Sequence, residues 1–174
     1  LFLSGWIESS AATSASDEDG RGVCKGQGVH RSHQRLPSCY IATYRPAIRN
    51  RYGREAVRLH GIPPFVDSSC RREPDFESRY PSITATCRGH LFAPRLHVGD
   101  RVAFLTVKGR YLDDVAAGWR LVAILKVIQR FDDHAEAAMW YHAQGLSLPS
   151  NCMVPGNGPK PLEQTNREAP AAVR

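Results

Sequence analysis

The 174 residues suffice for one domain with a proper core and are short for two. No stretch has the apolar length needed to cross a bilayer, so an integral membrane protein is excluded as the expectation. Lys and Arg number 23 against 17 Asp and Glu, a net charge of +6 that favours polyanionic over polycationic partners.

Residues 1–36 read as a loosely ordered tail. Leu1–Ile7 is apolar but short, has no preceding basic segment and runs straight into polar sequence, so it is not read as a signal peptide. Ser9–Ser16 is low in complexity, and an acidic Asp17–Asp19 and scattered glycines follow. With no apolar periodicity, burial cannot offset the ordering entropy. The five cysteines, at 24, 39, 70, 87 and 152, are odd in number and widely spaced, which favours a reduced, cytoplasmic protein over a disulfide framework.

The folded domain is expected over residues 37–163. Cys39–Tyr44 is a β-rich run stopped by Pro46, and a short helix is expected around Arg54–Leu59. Gly61–Asp67 is a Pro-stiffened apolar loop, Ser68–Tyr80 is polar and charged, and Ser82–Arg88 reads as a strand. The Val98-Gly99-Asp100 turn leads into a strand over Arg101–Val107. A second, longer strand over Trp119–Phe131 reads as buried on both faces in its middle. Asp133 to Glu136 has the spacing of a capping box, with the Asp side chain accepting from first-turn amides and Glu136 reaching back. The helix it opens places Ala135, Ala138, Met139 and His142 at helical spacing and stops at Gly145. Residues 146–161 form a Pro/Gly-rich loop, and 164–174 a frayed tail.

The Val-Gly-Asp-Arg-Val-x-Phe strand, the longer strand behind it and the Asp-capped, Ala-rich helix together resemble the core of the PUA-like superfamily, in particular its ASCH and EVE branches and related nucleotide-modification-associated domains. The resemblance covers Val98–Gly145, about a third of the chain. It implies an α+β fold: a small mixed β-barrel with one to three short helices. It also implies a pocket or groove for RNA, or for a modified base in DNA. The alternative it leaves open is an enzyme acting on modified nucleotides or bases, with Asp75, Glu77, Arg88 or Cys152 in play. A partner-docking module in which the charge is incidental is the third reading.

Two irregular segments are the candidate recognition surface. In Ser68–Arg88, the basic Arg71, Arg72, Arg79 and Arg88 alternate with aromatic residues, a pattern suited to phosphate contact and base stacking at Tyr80, with Ser82 at the segment's end. Its near-balance of acids against bases equally fits a solvated loop. In Leu148–Val154, Ser150, Asn151 and Cys152 carry a hydroxyl, an amide and a thiol between prolines, and an amide reads donor and acceptor pairs on a base edge. The plainer reading is a Pro-braced loop that bonds its own backbone. Trp119, Trp140 and Tyr141 read first as core residues, with Trp119 kept among the candidate nucleic-acid contacts. Cys87 and His90 lack the second half of a zinc site, so no metal and no cofactor is expected.

Overall fold

The computed structural model describes residues 2–7, 35–85 and 92–167. Five strands form one sheet in the order β2-β4-β5-β1-β3: β1 Phe2–Ile7, β2 Cys39–Tyr44, β3 Ser82–Thr84, β4 Arg101–Thr106 and β5 Leu121–Phe131. Two helices, α1 Arg51–His60 and α2 His134–Ala143, complete the α+β architecture. β2 pairs β4 in parallel, and every other pairing is antiparallel. Among the described residues nothing pairs β2 with β3, so the sheet is open rather than a closed barrel.

The sheet's inner face is built by alternation. Val102 and Phe104 of β4 lie beside Leu125 of β5 and Tyr40 and Ala42 of β2, and they pack with Tyr44, Ala93, Leu96 and Val127 into the main core. Ile83 of β3 and Phe76 reach the same core from the far edge. The Asp100 turn is pinned from three sides. Its carboxylate, fully buried, accepts from the amides of Ser38 and His97 at 2.8 and 2.9 Å and from the Arg35 guanidinium at 2.8 Å. Burial opposes its charge, but these donors prevail and hold the carboxyl at about 2.

Four expectations are corrected here. Phe2–Ile7, expected in the tail, is a strand between β5 and β3, because it pairs antiparallel with the edge of β5 that β4 does not occupy and with β3 on its other side. β5 is not buried on both faces: Leu121, Ile124 and Lys126 are exposed while Leu125, Val127 and Phe131 are buried, as expected when only one face of the sheet is covered. The buried face of α2 is Ala137, Ala138 and Tyr141, not Ala135, Met139 and His142, because Phe131 and Cys152 pack against Ala137 and Tyr141. The packed chain also runs past 163. Thr165 is buried, with its hydroxyl on Leu162 O, and the Asn166 amide donates to Ser68 O.

The α2 cap forms as expected. Asp133 Oδ1 accepts from the Glu136 amide at 2.8 Å, and Glu136 reaches back to the amide of Asp132 at 3.0 Å. No helix among the described residues is long and apolar enough to cross a membrane.

Candidate functional site

The two irregular segments meet, and they do so by consuming most of their polar groups. Asp75, buried, accepts from the amide and hydroxyl of Ser150 at 2.6 and 2.7 Å. Ser82 donates its hydroxyl to Asn151 Oδ1 at 2.6 Å, and the Asn151 amide returns a bond to Ser82 O at 3.1 Å. Arg72 is wholly buried. Its guanidinium donates to Glu77 at 3.0 Å, to Ser69 O at 2.7 Å and to Gln164 O at 2.8 Å. Arg71 bonds Ser150 O and Asn157 O at 2.6 and 2.9 Å. Arg72, Ser82, Ser150, Asn151 and Cys152 therefore form an interior clasp, where phosphate contacts were expected of the Arg72 segment and a base-reading edge of the Ser150 loop. The reason is mutual satisfaction: a buried polar group that finds a partner inside avoids the desolvation penalty of being left unpaired.

A cleft of about 250 Å³ does lie beside the clasp, between Asp75–Ser78, Ser147–Ser150 and Asn157–Lys160. Its charged lining is Asp75 and Glu77 against Lys160, and Lys160 is itself 3.3 Å from Glu77. That lining disfavours a phosphate backbone. Arg79 is exposed and stands over the Tyr80 ring at 5.8 Å, while Tyr80 is half-buried edge-on to Trp140. Arg88, Cys87 and His90 lie outside the described residues.

Cys152 is fully buried, and its thiol, which donates to His134 O at 3.4 Å, is pushed up by burial. A thiol raised in this way is a poor nucleophile. In the native state iodoacetamide is expected to modify exposed Cys39 and to spare Cys152 until denaturant is added. Peptide mass mapping reads the difference, and rapid native labelling of Cys152 would contradict the placement. Among the described residues no three His, Cys, Asp or Glu side chains gather as a metal site.

A second concavity has the opposite character. At the end of the sheet where the parallel strands β2 and β4 finish, a cleft of about 410 Å³ is lined by Arg45, Arg49, Asn50, Val107, Lys108 and Asn166. The Val107 amide donates to Tyr44 O and so holds the Arg45 and Lys108 segments side by side. Arg49 precedes Asn50, whose side chain caps α1 by accepting from the Gly53 amide at 2.8 Å, and the first turn of α1 carries no acid. The helix's positive end therefore adds to the cleft's charge. Arg45, Arg49 and Lys108 are exposed, and none has an ion-pair partner among the described residues.

β5 starts at this same end of the sheet, and Trp119 just before it is 61% exposed. Lys108 Nζ lies 5.3 Å from the centre of its ring. Trp119 is therefore exposed beside a cleft residue, while Tyr141 is buried and Trp140 half-buried. Arg45, Arg49 and Lys108, which line this cleft, were not among the residues singled out from sequence. The available signal was their position, just past the ends of two expected strands and just ahead of an acid-free helix start.

No family model matches the chain, and neither the curated proteins nor the solved structures contain a match to it.

Proposed function

We propose that the chain is a nucleic-acid-binding module of PUA-like type whose phosphate contacts lie in the Arg45–Arg49–Lys108 cleft. The observation that carries this reading is a cleft with three exposed cationic side chains and no carboxylate in its lining. Guanidinium and ammonium groups held side by side in a concave wall neutralise neighbouring phosphates and release their counterions. The resemblance of Val98–Gly145 to the PUA-like core points the same way, although the cleft's lining includes none of the candidate residues of the Ser68–Arg88 and Leu148–Val154 segments. A cytoplasmic setting accords with the scattered cysteines. The ligand class is RNA or DNA, modified or not.

Binding of fluorescein-labelled 12-mers, read by anisotropy, tests the reading. Three neutralised phosphates give a slope of log K on log salt of about −2 for single strands and nearly −3 for duplex. Affinity is then expected to fall on the order of 20-fold or more between 50 and 200 mM salt. A flat salt response, or no binding to any strand, overturns the proposal.

A further inference from the structure

Trp119 is the feature that phosphate binding alone leaves unexplained. A large aromatic side chain left mostly in water forgoes its burial energy, and a charged or small residue at the head of β5 would serve a purely electrostatic surface equally well. It is not isolated. Leu121, two residues on at the start of β5, is 56% exposed as well, so two exposed apolar side chains stand where β5 begins. Lys108 joins the indole to the basic cleft, lining the cleft and standing over the indole ring. Arg120, the neighbour of Trp119, is engaged elsewhere, with Asp114 at 2.5 Å and over the Phe65 ring at 5.2 Å. An aromatic platform beside a cationic groove is the arrangement that single strands use, because an unpaired base offers a π-face to stack while its phosphates follow the charge. Paired bases in a duplex present edges instead.

Resting on the nucleic-acid reading, we propose that this site takes single-stranded nucleic acid, with an unpaired base stacked on Trp119 and the adjoining phosphates on Arg45, Arg49 and Lys108. Stacking is sequence-tolerant, so the site discriminates strand state more than base identity.

The test measures unstructured 12-mer RNA, the matching DNA single strand and the matching DNA duplex against four proteins: wild type, Trp119→Ala, Trp119→Phe and Arg49→Glu/Lys108→Glu. Circular dichroism and melting temperature verify that each is folded. Trp119→Ala is expected to weaken single-strand binding about tenfold, to leave duplex binding within about twofold and to keep the salt slope, while Phe restores most of the affinity. The double charge reversal is expected to weaken every ligand. RNA and DNA single strands that lose affinity equally place the contact on the base; a loss confined to one fixes the sugar the platform accepts. If Trp119→Ala leaves single-strand affinity unchanged, or lowers single strand and duplex alike, base stacking is overturned and the phosphate-binding reading stands. If the charge reversal changes nothing, the nucleic-acid site itself is overturned.

Discussion

Replacing Arg72 with Met is expected to destabilise the protein by about 3–4 kcal/mol, the largest loss from any single side chain in the clasp. Arg72 is wholly buried, and three groups from separate segments depend on it: the Glu77 carboxylate, Ser69 O and Gln164 O. Methionine fills much of the volume but donates nothing. Two carbonyls lose their donor, and Glu77 keeps only Lys160, 3.3 Å away. Most of the cost lies in the two interior carbonyls left without a donor, each worth about 1–3 kcal/mol, since Glu77 is partly exposed and can be rehydrated. Set against a total stability of roughly 5–15 kcal/mol, a loss of this size lowers the melting temperature by about 10 °C. Arg72→Lys retains the charge but loses the planar fork, so it falls between the two. Urea denaturation of the three proteins gives the order, and an Arg72→Met midpoint equal to wild type would mean the clasp does not hold these segments together.

That same arginine shows where the sequence was legible and where it was not. Local grammar sufficed for elements whose determinants are close in the chain. Cys39–Tyr44 is a strand with the expected bounds, Asp133 and Glu136 cap α2, and Asp100 closes its turn. The site depends on long-range geometry. Arg72 and Ser150 stand 78 positions apart, and nothing local states that Ser150 Oγ will accept from the Arg72 amide. An arginine among acids looks the same in sequence whether it faces phosphate or a buried carbonyl. Trp119 shows the converse: an aromatic residue reads as core, yet β5 begins only at Leu121 and Trp119, just ahead of it, is left 61% exposed. β1 was illegible for a related reason. Phe2–Ile7 has no turn signal joining it to a partner, and its partners, β5 and β3, lie more than 75 positions away.

Gly53 links this long-range geometry to the proposed site, and Gly53→Ala is expected to cost about 3 kcal/mol even though alanine is the better helix former by about 1 kcal/mol. A Cβ on Gly53 would sit 1.7 Å from the backbone oxygen of Ala47, far inside van der Waals contact. Backbone cannot swing away as the end of a long side chain can. Either α1 lifts from the Ala47–Arg49 turn, or that turn moves. Both routes open the small core of Ala47, Ala56, Ile62 and Val66. Both also displace Arg49 and Asn50, the residues that join the turn to the helix and line the basic cleft. The substitution therefore acts on binding without touching a contact side chain. At a temperature where the variant remains folded, single-strand affinity is expected to fall severalfold while the Trp119-dependent preference for single strand over duplex persists. Thermal melts and the 12-mer titration read the two effects together. A Gly53→Ala protein as stable as wild type would show that the α1 approach is looser than 1.7 Å allows, and unchanged binding in a destabilised variant would detach Arg49 from the site.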